Sequence, residues 1–420
     1  IRLSYGSLGN QQIGYYDFIQ TITTKGSMSD YSFDGTVLGQ HATVSDPVSG
    51  DQTWEKVVSK NLGLDLNMFN NRLSLTTDFY IRDTKGILGK GKSLPSIYGA
   101  SEPQMNANNL RTKGYELVLG WRDSFKLAGS TFSYGITGTF SDYTAEYTKC
   151  DNPTGLIGDP YVGKKYGEIW GYKVDGLFRN DKEAAEYASR IDLSTVASGY
   201  YTATGAYGKG VRGGDIKYLD LNGDNIVNGG KGTLDDPGDR RVIGNSSPRY
   251  QYGASLNFSW YGFDVSVFMQ GIGRLDWYPG ADNLRFWGPY CRPYATFVPK
   301  NFMSQVWSEE NPDAYFPRAR AYTSLNSNSG TAYYTNDRYL QNLAYCRLKN
   351  LTIGYTIPRR LTSKVGIKEC RIYFSGENLA TWSALKSDFL DPEQAAADSD
   401  KKANVYPWCK TYSIGLNLTF

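Results

Sequence analysis

Histidine is almost missing from this chain: 420 residues hold one, His41. That excludes multi-histidine metal sites and any nucleophile–histidine–acid arrangement not built on His41 itself. His41 lies in a polar stretch and reads as a solvated side chain. An excess of charge of one sign is missing too. The 45 Lys and Arg stand against 42 Asp and Glu, a formal net charge of +3, so there is no basic stripe for nucleic acid and no acidic tail. No run approaches 18 apolar residues, which excludes a transmembrane helix. It does not exclude a membrane, because barrel strands alternate and hide their hydrophobicity from window averages. The five cysteines, Cys150, Cys291, Cys346, Cys370 and Cys409, are odd in number, scattered and without a C-x-x-C pair. They suggest neither a zinc ribbon nor a redox motif nor a disulfide framework. No Met and no leader precede Ile1, so the chain reads as processed or partial.

What is abundant is aromatic and small: 34 Tyr, 18 Phe, 9 Trp and 46 Gly. The clearest pattern is at the C-terminus. Tyr412, Ile414, Leu416, Leu418 and Phe420 alternate with Thr411, Ser413, Gly415, Asn417 and Thr419. A period of two over about ten residues marks a strand with one apolar and one polar face, and about ten tilted residues cross a hydrocarbon core. The pattern recurs at 1–8, 62–68, 73–81, 115–121, 132–140, 252–260, 263–269, 351–357 and 370–374, about ten strands in all. Aromatics near strand ends, such as Tyr5, Trp121, Trp260 and Tyr355, suit interfacial girdles.

The connections alternate between short and long. Short turns fall at Asn70-Asn71, 123–130, Tyr261-Gly262 and 358–369. Long loops run over 9–55, 83–111, 142–249, 271–344 and 379–409. This is the rhythm of an all-β, transmembrane, antiparallel up-and-down β-barrel with tight periplasmic turns and extended extracellular loops. A soluble β-sandwich rarely needs so many long connections. On this reading Arg72, Asp78, Arg82, Glu116 and Arg122 face the lumen, since charge on the lipid face costs about 2–4 kcal/mol at mid-membrane. Cys370 falls on the apolar face. One helix is expected, over Asp181 to Arg190, inside the 142–249 loop.

Several ordered motifs carry a resemblance that covers the whole chain. They are Arg2-Leu3-Ser4-Tyr5-Gly6-Ser7-Leu8-Gly9-Asn10-Gln11; Trp54-Glu55-Lys56 leading into Asn61-Leu62-Gly63-Leu64-Asp65; Phe69 to Ser74; Asn109 to Glu116; Gly171 to Phe178; Gly214 to Tyr218; Leu348 to Tyr355; Gly376 to Leu379; and Tyr412 to Phe420. In these the chain resembles the C-terminal part of SusC-like TonB-dependent transporters of the Bacteroidetes outer membrane. The resemblance implies a larger barrel of about 22 strands, with a plug domain and TonB box that this chain does not show. It also implies a SusD-like surface lipoprotein, TonB and outer-membrane lipid as partners. The implied activity is active import of an oligosaccharide, with an oligopeptide as the alternative, and no catalysis. A passive porin or an outer-membrane enzyme are the readings from other classes; the single histidine argues against the enzyme.

Three motifs bear on ligands. Asp220-Leu221-Asn222-Gly223-Asp224-Asn225-Ile226-Val227-Asn228 sets oxygens at positions 1, 3 and 5 and a carbonyl at 7, the spacing of a calcium loop. The expected set is Asp220, Asn222, Asp224, Ile226, Asn228 and, after an insertion, Asp239; the alternative is a plain Asx-rich turn. The 271–344 loop gathers Trp277, Tyr278, Phe286, Trp287, Tyr290, Tyr294 and Phe297 with Arg274, Arg285 and Arg292. Trp277, Tyr278, Arg285, Phe286, Trp287 and Tyr290 are the ligand candidates, because ring faces between polar groups suit sugars or peptides; loop packing or contact with a lid protein is the competing reading. Gly86 to Ser93 spells a Walker A motif and Gly208 to Gly213 a G-x-G-x-x-G. Neither has the strand-then-helix setting that phosphate binding needs.

Overall fold

The computed structural model describes residues 1–10, 19–25, 28–33, 36–38, 41–50, 52–90, 95–198, 200, 210–291, 298, 300–320, 325, 332–387, 390–397, 406 and 408–420. Ten strands form one sheet in strict sequence order. They are β1 (Arg2–Asn10), β2 (Glu55–Met68), β3 (Leu73–Lys90), β4 (Gln104–Leu127), β5 (Ser130–Lys149), β6 (Arg249–Trp260), β7 (Phe263–Arg274), β8 (Tyr345–Thr356), β9 (Glu369–Ser383) and β10 (Thr411–Thr419). β1 and β10 lie at the two ends of this order. No helix among the described residues is long and apolar enough to cross a membrane, which says nothing of crossing by strands.

By compactness the chain falls into two units. The first is Ile1–Gly63, Asp78–Gly114 and Tyr143–Tyr166; the second is Leu64–Thr77, Tyr115–Asp142 and Gly167–Phe420. In the second unit the register exposes the logic of the sheet. Tyr134, Phe258, Val265, Ile353, Phe374 and Ile414 stand side by side across six strands, an apolar row. One residue along lies Gly135, Asn257, Ser266, Thr352, Ser375 and Ser413, a row with no large apolar side chain. Neighbouring residues of a strand point to opposite faces, so the two rows are the two faces of one sheet. The apolar face is not a core: Ile414, Leu416 and Leu418 are 84%, 57% and 40% exposed. Exposed apolar area on that scale needs a non-aqueous cover.

The tight turns follow from local chemistry. Ala128-Gly129 and Tyr261-Gly262 both have positive φ at both positions, the type I′ geometry that matches strand twist. A side chain on Gly262 would stand 2.6 Å from the Thr356 carbonyl oxygen. Phe69, Asn70 and Asn71 are all left-handed, a conformation asparagine tolerates well.

The first unit contains the outer ends of β3 and β4, which run further than alternation indicated. β3 continues to Lys90 and β4 begins at Gln104. Beyond the apolar band these segments are joined by polar pairs. Arg111 clamps Asp83 at 2.6 and 3.2 Å, and Asn109 accepts from the Gly86 amide. Hydrophobic periodicity carries no signal for a wall of that kind. The unit also holds two small hairpins, Ile22–Lys25 with His41–Val44 and Met28–Phe33 with Thr36–Leu38. His41 is thus a strand residue opposite Lys25. The Walker-like spelling begins within β3, and its residues 91–93 lie outside the described residues, as do 208 and 209 of the second glycine motif.

The main hydrophobic cluster is built from the connections. It runs from Tyr172 to Leu343 and takes in Leu390 and Ala395. The expected helix is α1 (Asp181–Ala188), capped by Asn180, whose side chain accepts from the Glu183 amide at 2.9 Å. Cys370 is a free thiol paired with Leu418 in the apolar register, and it is 8% exposed. It stands beside the short helix α3 (Arg359–Thr362), which follows Pro358, and its carbonyl accepts from the Ile357 amide.

Candidate functional site

The aromatic candidates of the 271–344 loop are brought together, and they turn inward. Trp277, Tyr278, Phe286, Trp287 and Tyr290 are each 7% exposed or less; Arg285 alone faces solvent. The short helix α2 (Leu284–Trp287) sets two of them, and fully buried Asn283 caps it by accepting from the Phe286 amide at 3.0 Å. Trp287 meets Tyr339 edge-on at 5.0 Å, and Tyr290 stacks on Phe316 at 5.8 Å. Three of their polar handles are satisfied within the loops, whereas the buried Trp277 indole N–H has no hydrogen-bond partner among the described residues. Trp287 donates to the Gly280 carbonyl, Tyr278 to Ala332 and Tyr334, and Tyr290 to Pro317. Burial pushes the Tyr278, Tyr290 and Tyr339 hydroxyls far above their ordinary range. The ligand reading of the five aromatics therefore rests on the sequence alone, because these rings pack a core and present no open platform in this structure. The reason is composition: the loops are long enough to fold on themselves, and large rings supply most of their buried area. Arg292, Tyr294 and Phe297 lie outside the described residues.

The Asp220–Asn228 loop is a chain of Asx turns. Asp220 accepts from the Gly223 and Asn225 amides, Asn222 from Asp224 and Asp224 from Ile226. Fully buried Asp239 accepts from Leu221 at 2.7 Å and from Asn228 at 2.9 Å. Asn225 is left-handed, as its position requires. Asp220, Asn222, Asp224 and Asp239 thus each accept backbone amides. Among the described residues no three acidic, cysteine or histidine side chains are grouped to hold a metal ion.

Two charged sites lie in the loops of the second unit. Arg320 and Asp215, 5% and 1% exposed, meet at 2.6 Å and join the 142–249 loop to the 271–344 loop. Asp215 also accepts from the Arg212 amide at 2.8 Å, and the Arg320 guanidinium lies 4.1 Å from the Tyr200 ring centre. Burial raises the Asp215 carboxyl to about 6, against the opposing pull of Arg320. Arg347 on β8, 2% exposed, donates to Asp391 at 2.7 Å, Glu393 at 2.6 Å and Thr381 at 2.9 Å. It pins the segment after β9 to the wall.

The polar face has its own geometry at the tight-turn end. A cavity of about 940 Å³ is lined by Arg72, Arg122, Asp123, Asn257 and Asp264 among others. Arg72 pairs with Asp123 at 3.2 Å, and Arg371 clamps Asp264 at 2.9 and 2.6 Å. In the first unit Asp78 accepts from Arg2 and Asn61. Of the strand charges expected on the polar face, Arg72, Asp78 and Arg122 are thus tied to neighbouring segments.

No protein-family model matches the chain. Among curated proteins it is 25% identical over its whole length to TonB-dependent receptor P3 of Formosa agariphila, covering 39% of that protein. It is 22% identical, again over its whole length, to TonB-dependent receptor SusC of Bacteroides thetaiotaomicron, covering 37% of it. The resemblance is to SusC-like TonB-dependent transporters, C-terminal portion. Among solved structures, the RagAB peptide importer in its open-open state matches all of the chain and 40% of its counterpart, with a TM-score of 0.68 and 22% identity. The closed-closed state gives 0.67 and 21%. The ten-stranded sheet is the fold of the TonB-dependent barrel, and within this chain the barrel is not closed. The chain spans about two fifths of the length of the curated SusC-like relatives it matches end to end.

Proposed function

We propose that this chain forms ten strands of the barrel of a TonB-dependent importer in a Bacteroidetes-type outer membrane, and that the protein imports an oligosaccharide together with a SusD-like lipoprotein. The reading rests on one observation above others: apolar side chains, Ile414, Leu416 and Leu418 among them, coat the exposed face of a sheet whose opposite face is polar and cross-linked. A membrane is the solvent that makes such a sheet stable. The protein catalyses no reaction; energy reaches it through TonB and the remainder of the polypeptide. An oligopeptide cargo is the second reading, favoured by the names of the RagAB peptide importer structures that share the fold.

The test is uptake by cells carrying or lacking this gene, measured with labelled neutral oligosaccharides and labelled oligopeptides, with TonB present or deleted. Uptake of sugar that needs both the gene and TonB is expected. Uptake that persists without TonB would mark a passive porin, and uptake of peptides alone would overturn the cargo. Release of the protein from membranes without detergent would refute the barrel.

A further inference from the structure

The buried aromatic cluster leaves open which residues meet cargo, and the fold offers another group on the second unit. β8 and β9 are bulged at the same level. The ladder passes from Leu348 to Asn350 without pairing Lys349, and from Ala380 to Glu377 without pairing Asn378 or Leu379. Asn378 is left-handed there, and its side chain donates to the Cys409 carbonyl at 3.2 Å, tethering the chain next to Trp408. Bulges re-aim side chains and are enriched beside functional sites. Here the re-aimed group is Lys349. Its ammonium stands 4.9 Å from the Trp408 ring centre and donates to both oxygens of Glu393, at 3.1 and 3.0 Å. Glu393 is held in turn by buried Arg347. Trp408 remains 49% exposed, and Lys349 and Glu393 are each about one-fifth exposed.

We propose that Trp408, Lys349 and Glu393 form a subsite for one neutral sugar ring. The inference rests on the oligosaccharide reading above and assigns residues to it. The argument is chemical. Two cations, Arg347 and Lys349, are matched by two carboxylates, Asp391 and Glu393. The group therefore exerts little net field on a charged ligand, and an acidic sugar or a peptide terminus finds no unmatched counter-charge. What it presents is an indole face for C–H groups, an ammonium that donates and a carboxylate that accepts. A ring bearing adjacent hydroxyls, each both donor and acceptor, uses all three. The pinning by Arg347 and the Asn378 tether fix the spacing before ligand arrives, which lowers the ordering cost of binding.

The experiment is calorimetric titration of the full-length transporter with its lipoprotein partner in detergent, using neutral hexasaccharides of glucose, mannose and xylose as probes. For whichever hexasaccharide binds, W408A weakens affinity about tenfold, and K349M does likewise. W408F stays within about threefold, because it keeps a ring face. Unchanged melting temperatures for these variants separate loss of the subsite from misfolding. Oligosaccharide binding that W408A leaves unchanged overturns the subsite while the cargo reading stands. Binding of oligopeptides with no binding of any hexasaccharide overturns both.

Discussion

Replacing Arg320 by methionine tests what holds the two large loops together. The variant keeps most of the aliphatic stem beneath Tyr200 but removes the only cation that forms an ion pair with Asp215 among the described residues. Two charges about 4 Å apart at an effective dielectric near 20 interact by about 4 kcal/mol. Stripping one partner from a buried pair costs about 3–5 kcal/mol. Asp215 retains the Arg212 amide at 2.8 Å, so the lower end, about 3 kcal/mol, applies at pH 7.5. That is roughly a hundredfold more frequent opening of the segments around Phe178, Gly214 and Arg318, whose backbones are bonded through this point. The pH dependence carries the stronger test. The Asp215 carboxyl is raised from its ordinary 3.8 to about 6 in the folded protein. A raised acid stabilises the fold fully below its unfolded value, and that stability is lost as pH rises through the folded value. The wild type therefore gains local protection between pH 7 and pH 4. Without Arg320 the carboxyl rises further, so R320M is weakest near pH 7.5 and recovers most of the loss by pH 5. D215N/R320M carries no buried charge and stays near wild type at both. Hydrogen exchange of peptides covering 172–218 and 314–320, corrected for intrinsic rates, reads this directly. An R320M profile that matches wild type at pH 7.5, or a loss that does not depend on pH, would refute the reasoning.

Three further outcomes follow from other parts of the molecule. Ile414→Lys places a charge in the exposed apolar row and costs about 2–4 kcal/mol at mid-membrane, whereas Ser413→Lys points to the polar face. The first abolishes heat-modifiable folded protein in the membrane fraction and the second does not; equal assembly of both would sink the two-faced sheet. Because the oxygens of the Asp220–Asn228 loop already accept backbone amides, EDTA leaves exchange protection over 220–239 within about threefold. Asp239→Ala strips amides of their buried acceptor and costs about 2–3 kcal/mol there; a large EDTA effect would instead establish bound calcium. Of the five thiols, exposed Cys409 reacts with maleimide well before buried Cys370 in folded protein, and simultaneous labelling would place Cys370 back on an open surface.

Alternation of side chains at every second residue was enough to read the ten strands, their order and their tight turns. A strand's two faces are written directly in its sequence, and a slip of one residue would put Ile414 where Ser413 belongs. A helix over Asp181 to Arg190 was legible for a similar reason, its acidic start, basic end and helix formers being local, and it closes at Ala188. The outer extensions of β3 and β4 were not, since Asp83 and Arg111 hold them by pairing between strands rather than by any period within one. The fate of Trp277, Phe286, Trp287 and Tyr290 was likewise beyond the sequence. An aromatic ring has the same composition whether it faces a ligand or packs a core, and only the return of Phe316 and Tyr339 onto Phe286, Trp287 and Tyr290 shows those three packed. Nor does spacing along the chain reveal that Lys349, Glu393 and Trp408 meet. Two bulges and a buried arginine bring them together, and contacts of that kind exist only once the strands have paired.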